Sequence, residues 1–427
     1  IFGSFARLEE LKAKYPDLEV LLAMPAIQTD KRRAIISRLE AIKVAVRTVP
    51  SFRDLISDQK KMADIQDLSL DDLLPRGRFA KDTLKLMSDK RIFISGAGGS
   101  IGSEITRQLL DSNPKSIILF DISEYNLFQL ERECLAQKAS ANLSTKIIPI
   151  LGDIKDSKNL SFVFKKYQVD DVFHAAAYKH VPLVEDVNNI IKASENNVLG
   201  TLNLANISIE QKVKSFVMIS TDKAVRPSNI MGATKRMSEM IIQSLNKQQS
   251  CTQFSMVRFG NVINSSGSVI PTFLDQISNG GPVTVTHRDV TRYFMTIPEA
   301  SNLVLQAAQM SNGGEVFILD MGEQLKIYDL AKKLIHLSGR SIASKSGGDG
   351  IEIVEVGLRP GEKMYEELLI SGDLKATENS KIFKSTESFP SEEIMTVVIK
   401  EIYQAIADNN TDALIGIFKS NIEGYPS

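Results

Sequence analysis

RIFISGAGGSIGSEITRQLLDS, residues 91–112, decides the fold. RIFIS is a short apolar run that reads as a buried strand, and SIGSEITRQLLDS repeats its apolar residues at helical spacing. Between them GAGGSIG sets Gly96, Gly99 and Gly102 in G-x-x-G-x-x-G order. Glycine permits positive φ and lets backbone N–H groups approach a pyrophosphate at a helix N-terminus. Glycine-rich turns are common, so the signal lies in the strand before it and the helix after it.

The same alternation continues outward. SIILFD reads as a second strand with a helix around EYNLFQLERECL, KIIPILGD and DVFHAAA as strands three and four, and IIKASENNVLGTLNLANISI as one long helix. SFVMIST is a fifth strand, a helix starts near Met231, and FSMVRFG is a sixth. Strands alternating with helices predict an α/β fold with a doubly wound parallel (Rossmann) sheet. Its expected extent is residues 89–260, returning around 290–320. From 261 to 427 the pattern loosens, with small strands such as PVTVT and IEIVEV, as expected of a smaller substrate-binding lobe. Two helices without evident chemistry close the chain. Residues 1–70 alternate two helices with the strands EVLLAMP and KVAVRTVP, too little for a closed core, and read as the remnant of a further α/β domain. Residues 71–88 read as a connector.

Composition narrows the class. In 427 residues, apolar content is 43% and charged content 24%, as in a globular protein with a sizeable core. Lys+Arg 51 against Asp+Glu 52 leaves a net charge of -1 and no case for nucleic acid as partner. Cys134 and Cys251 lack metal-type spacing, which favours a reducing compartment, and four histidines form no HxH or HExxH pattern, so no metal is expected. No apolar run approaches a membrane span of about 18 residues. The chain starts at Ile1 and is expected to be an excised portion of something longer.

The cofactor reading rests on named positions. Strand two ends in Asp121, whose carboxylate can bond adenosine ribose hydroxyls and would repel a 2′-phosphate, favouring NAD over NADP. Asp153, after strand three, is placed for the adenine. Ala175, Ala176 and Ala177 give a small-residue edge after strand four. Ser100, Ile101 and Ile154 complete the expected cofactor-contact set.

HAAAYKHVPLVE, NNVLGT, STDKAVRP, MGATK and GLRPGEK occur in this order along the chain. With them it resembles the UDP-N-acetylglucosamine 4,6-dehydratases of bacterial polysaccharide and protein-glycan biosynthesis, members of the extended short-chain dehydrogenase/reductase superfamily. The resemblance runs from about Asp89 to the C-terminus. The first stretch is similar to the end of the nucleotide-binding-like domain that precedes the enzyme in long, membrane-anchored members. Met231 stands where the superfamily often has tyrosine, four residues before Lys235. Methionine there is typical of the long branch, which implies retention of configuration at C5, whereas the short, inverting branch usually keeps the tyrosine. The resemblance further implies that Lys235 contacts the nicotinamide ribose and that Thr221, Asp222 and Lys223 surround the sugar. It puts Asn261, Arg292, Arg359 and Glu362 at the UDP moiety. Homo-oligomers and a cytoplasmic catalytic portion of an inner-membrane-anchored protein are also implied.

The implied reaction oxidises C4, eliminates water across C5 and C6, and returns the hydride to C6, leaving a 4-keto-6-deoxy sugar. It requires an acid, a base and a route for the C4 hydroxyl proton. Lys223 is the candidate C5 base, made neutral by partial burial with Lys235 and the cofactor ring nearby. Asp222 is the candidate acid for C6 in a dry pocket. Met231 has no transferable proton; it packs at a helix start and lines the sugar pocket. Thr221 or a water relays the C4 proton towards Asp222. Lys179 and His180 fall on a loop that is either solvated or on the substrate side. Arg359 offers a fork of donors to a diphosphate and Glu362 an acceptor for ribose hydroxyls. Arg292 is a second phosphate candidate, and Asn261 can read a pyrophosphate or base edge. The rival expectations are a C5-inverting dehydratase, a UDP-sugar 4-epimerase of the same fold, and a catalytically silent nucleotide-binding protein.

Overall fold

A computed structural model describes residues 5–24, 27, 29–48, 66–67, 87, 89–263, 265, 268–343, 350–369, 374–385, 387 and 389–426. The connector expected at residues 71–88 lies, apart from residue 87, outside the described residues. The chain divides into two compact units, one of residues 81–261, 297–321 and 359–427, the other of residues 1–80, 262–296 and 322–358.

The first of these units is built on a nine-stranded sheet. Its strands are β1 (Arg91–Ser95), β2 (Ser116–Asp121), β3 (Lys146–Leu151), β4 (Asp171–His174), β5 (Ser215–Ile219), β6 (Gln253–Arg258), β7 (Val316–Leu319), β8 (Lys375–Ala376) and β9 (Ile382–Ser385). The spatial order is β3-β2-β1-β4-β5-β6-β7-β9-β8, parallel from β3 to β7 and antiparallel from β7 through β9 to β8. Winding starts at β1 and proceeds both ways, so the order reverses between β1 and β4. The crevice beyond the strand C-termini at such a reversal is where open α/β sheets hold ligands. Helices on both faces leave the central strands no solvent side. Every residue of β2 and β4 is buried, which is why they read as unbroken apolar runs.

Two helices position the crevice. α1 (Ser100–Leu110) follows β1, and α2 (Ile230–Gln248) follows β5. Sixteen of the 19 residues of α2 are buried. It packs against the helix Gly200–Glu210 on one side and α3 (Glu392–Ala407) on another, and α3 in turn packs on α4 (Thr411–Asn421). The long helix expected around residues 190–209 runs through Val187–Ser194 and Gly200–Glu210, with a π-helical turn at Glu195–Leu199 between them. Among the described residues no helix is long and apolar enough to cross a membrane.

In the other unit, Glu19–Leu22 pairs parallel with Ala45–Thr48, which pairs antiparallel with Gln66–Asp67. The helix Thr29–Ile42 packs on the helix Ile327–Leu337, and Val283–Val285 pairs with Ile353–Glu355. This differs from the boundaries drawn from the sequence. Residues 261–427 are not one lobe: 262–296 and 322–358 group with the N-terminal stretch, while 359–427 return to the large sheet. The physical reason is that β9, α3 and α4 cover the β7 edge and α2. IFKS has only its end residues buried, so its sequence gives no clear strand signal.

Candidate active site

The glycine loop is shaped by close approach. Gly96 has φ +65°, and a Cβ there would stand 2.6 Å from the backbone nitrogen of Ala176. A Cβ on Gly102 would stand 2.1 Å from the carbonyl oxygen of Gly96, so the third glycine lets α1 pack onto the loop. Gly99 caps α1 in extended conformation. Asp121, buried at the end of β2, accepts from the Gly98 N–H at 2.7 Å and the Ser123 N–H at 2.8 Å, one on each oxygen. These two donors fix the carboxylate at the loop. Asp153 accepts from the Lys155 N–H at 2.9 Å, and Ile154 is buried against Gly200. Ser100 and Ile101 form the first turn of α1, its N–H groups open to the crevice end.

Beyond β4, Ala175 donates to the Ser95 carbonyl at 3.0 Å, continuing the sheet edge, and Ala177 leads into the exposed Tyr178, Lys179 and His180. His174 is wholly buried between Ser95 Oγ (2.7 Å) and Thr201 Oγ1 (2.8 Å). Thr201 spends its proton on the Asn197 carbonyl, so His174 Nε2 carries the ring hydrogen and Nδ1 accepts from Ser95. Burial, aided by Lys235, holds this imidazole neutral with its pKa down at about 3. Asn197, in the π turn, accepts from the Tyr178 N–H at 2.8 Å and donates to the Tyr178 carbonyl and to Thr234 Oγ1, both at 3.0 Å. It ties the loop after β4 to α2.

The STDK turn lies at the C-terminal end of β5. Thr221 Oγ1 donates to Asp222 Oδ1 at 2.9 Å, and Lys223 Nζ donates to that oxygen at 3.0 Å. Asp222 is 1% exposed, and its Oδ2 is buried with no hydrogen-bond partner in the protein. Lys223 Nζ also donates to Asn261 Oδ1 at 3.1 Å and pairs with Glu366 Oε1 at 3.5 Å. Here the structure adds partners that the sequence reading did not name. Acidic and amide oxygens face the Lys223 amine, and this set of partners describes an ammonium. Asn261, expected at a pyrophosphate or base edge, holds that lysine through its amide oxygen.

α2 begins at Asn229, whose side chain caps the Gly232 N–H at 2.8 Å. Met231 is buried within the main hydrophobic cluster, so its packing role is what the structure displays. Lys235 is buried one turn on. Burial pushes its amine down to about 8, with Glu239 pulling the other way, and it makes no hydrogen bond to the described residues. Glu239 belongs to a sealed charge cluster: Arg258 bonds both Glu239 (2.8 and 2.6 Å) and Glu387 (2.6 and 2.8 Å), and Arg236 bonds the same two carboxylates. Burial works against the Glu239 carboxylate, yet the two guanidiniums hold it down at about 2. Ser220, the first residue of the STDK turn, donates to Glu239 at 2.7 Å.

The RPGEK turn docks on this region. The Gly361 carbonyl, at φ +74°, accepts from Ser228 Oγ at 2.8 Å and Asn229 Nδ2 at 3.1 Å. Lys363 Nζ donates to the Val225 carbonyl at 3.0 Å, and Arg226 pairs with Glu367 at 2.8 Å. Arg359 is exposed, and Glu362 folds back on its own turn to accept the Arg359 N–H at 3.2 Å. Arg292 is a residue of the other unit, buried there, with its guanidinium on the Thr291 carbonyl at 2.8 Å.

Sequence reasoning passed over Asn197, Gly232, Glu366 and the buried charge cluster. An asparagine pair in an apolar helix and a glycine in a helix's first turn were readable signals. Nothing in GEKMYEELL separates Glu366 from Glu362 and Glu367.

A doubly wound sheet with this glycine loop, and a lysine on the helix after β5, define the extended short-chain dehydrogenase/reductase fold. Residues 92–387 match the family model described as polysaccharide biosynthesis protein, and the chain belongs to that family. It is 45% identical over 376 residues to the capsular polysaccharide biosynthesis protein CapD of Staphylococcus aureus, covering 87% of this chain and 61% of that protein. It therefore spans about three fifths of the length of this relative. It is 34% identical over 293 residues to the UDP-glucose 4-epimerase of Rickettsia canadensis, covering 68% of this chain and 81% of that one. Among solved structures, Pen from Bacillus thuringiensis aligns at a TM-score of 0.61 with 34% identity, over 74% of this chain and 98% of that one.

Proposed function

We propose that the chain carries an NAD-dependent UDP-N-acetylglucosamine 4,6-dehydratase activity that retains configuration at C5. The observation that carries this is one carboxylate shared by two proton-bearing groups. Asp222 Oδ1 receives the Thr221 hydroxyl and the Lys223 amine, while Oδ2 is buried and unmatched. A buried acceptor without a donor is costly, and a substrate hydroxyl would satisfy it.

The cofactor reading fits the residues present. The loop at Gly96 and Gly102 leaves no room for a Cβ, Asp121 is fixed beside it, and Lys235, a buried residue, meets no hydrogen-bond acceptor among the described residues, which a ribose hydroxyl would supply. NAD held by these residues would supply the hydride acceptor for C4 and the donor for C6. The protein's residues handle the protons. Thr221 takes the C4 hydroxyl proton and passes its own to Asp222. Asp222 then protonates the departing C6 hydroxyl, and water leaves. Lys223 removes the C5 proton and later delivers one of its N–H protons, exchangeable with solvent, to the same face, which gives retention. The carboxylate of Asp121 favours NAD, since a 2′-phosphate beside it would be repelled. Arg359 and Glu362 are the proposed contacts to the UDP group, with Lys179 a further candidate.

The epimerase relatives favour a second reading, 4-epimerisation. Against it, an epimerase has no use for a C5 base or C6 acid, and Met231 cannot serve as the C4 acid–base group. Lys223→Ala tests the reading. With cofactor content unchanged, turnover of UDP-N-acetylglucosamine should fall by about 10²–10⁴-fold, and near-normal turnover would rule out the base assignment.

A further inference from the structure

We propose that Glu366 is the positioning residue and proton partner that turns Lys223 into a base. The inference rests on the dehydratase reading above. Among the described residues, Lys223 Nζ faces Asp222 Oδ1 at 3.0 Å, Asn261 Oδ1 at 3.1 Å and Glu366 Oε1 at 3.5 Å. An ammonium has three N–H donors and no lone pair, so this set matches the form that cannot act as a base. A C5 base needs the lone pair, so one proton must first leave. Asp222 cannot take it and also receive the C4 hydroxyl proton through Thr221, because one carboxyl holds one proton. Glu366 is the second carboxylate at the amine.

Its position suits the task. The Glu366 side chain is 5% exposed, so a proton moved onto it stays out of bulk water. The segment bearing it is pinned to the STDK turn by Gly361 on Ser228 and Asn229, by Lys363 on Val225, and by Glu367 on Arg226. Asp222 shares the amine with Glu366, and Arg226, Glu362, Lys363 and Glu367 are the charged neighbours on the two segments that carry the pair. In the step, an N–H bond of the ammonium breaks and an O–H bond forms on Glu366, leaving a neutral amine and a neutral carboxyl. The amine then takes the C5 proton. The C5–H electron pair becomes the C5–C6 double bond as the C6–O bond breaks, and the Asp222 proton completes the water. Lys223 later delivers one of its three N–H protons, two of which exchange with solvent, to C5 while Glu366 keeps the one it took.

The test is the pH profile of Glu366→Gln, read as the rate of solvent deuterium entry at C5 and of 4-keto product release from UDP-N-acetylglucosamine between pH 7 and 9. With Glu366 present the proton stays inside the pair, so the wild-type rate should be nearly flat. Without it, Lys223 must lose its proton to solvent. The variant should then be about tenfold or more slower at pH 7, with a rate that climbs steeply as pH rises. A merely structural role lowers the rate by one factor at every pH, and such a parallel profile, or an undiminished rate, overturns the proposal. Glu366→Asp keeps the carboxylate and should keep the flat profile; a climbing profile there overturns it as well. This variant decides alone if thermal unfolding shows the Gln variant unfolded. Should the wild type release no 4-keto product, the dehydratase reading fails. Should the wild type release it and the Gln variant run parallel, only the role of Glu366 fails.

Discussion

Lys235 shows how a single residue's surroundings set its chemistry. Its amine is buried on α2 with Glu239 as its nearest counter-charge, and burial wins, bringing it down to about 8 from the ordinary 10.5. The unfolded chain keeps this proton up to about pH 10.5 and the folded one only to about 8. Between those values the unfolded state binds more protons, so stability contributed by this group rises with pH, and the whole penalty is present below about pH 8. The fall is worth on the order of 3 kcal/mol. In cofactor-free protein, Lys235→Met should therefore be more stable than wild type at pH 7 by up to about that amount. The gap should close towards pH 10.5 in urea titrations; a gap independent of pH would contradict the burial argument. Met231, by contrast, has no proton role in this account. Met231→Leu conserves volume and should cost less than about 1.5 kcal/mol, with dehydration activity within a few-fold of wild type. A hundredfold loss would give the thioether a role that packing does not explain. The glycine loop, Asp121 and the STDK turn were legible because each needs a residue type at a fixed point of a strand–turn–helix unit. The partners of Lys223 were not, because Asn261 and Glu366 reach it from 38 and 143 residues away.

At the scale of elements, the site depends on how α2 meets the turn after β5. A Cβ on Gly232 would stand 2.2 Å from the carbonyl oxygen of Lys223, and backbone cannot yield to it cheaply. Gly232→Ala should push α2 from the turn and lower turnover at least tenfold, with a smaller effect on thermal stability; unaltered turnover would mean the turn tolerates displacement. Behind that contact, the cluster of Arg236, Glu239, Arg258 and Glu387 bolts α2 to β6 and to the segment after β9. Removing one partner leaves a buried charge uncompensated, at a cost of about 3–5 kcal/mol. Glu387→Gln should lower the unfolding midpoint accordingly, measured by calorimetry, and a shift of under 1 kcal/mol would show that the guanidiniums find other acceptors. The helices and parallel strands were readable from their periodicity. β8 and β9 were not, since short antiparallel strands at the margin of the sheet lack a clear burial period, and neither was the π turn, whose sequence continues a helical pattern on both sides.

Across the whole molecule, the parallel, doubly wound character of the sheet followed from the alternation of strand and helix, but the partition of the chain did not. Residues 359–427 rejoin the large sheet after two excursions into the other unit. That return brings RPGEK and Glu366 beside a turn more than a hundred residues earlier, and no local signal announces it. The central claim is the reaction itself, and proton NMR of UDP-N-acetylglucosamine incubated with the protein and NAD in deuterated water tests it most directly. The account predicts a 4-keto-6-deoxy product with unchanged configuration and solvent deuterium at C5. A C4 epimer with its C6 hydroxyl and C5 proton intact would contradict it.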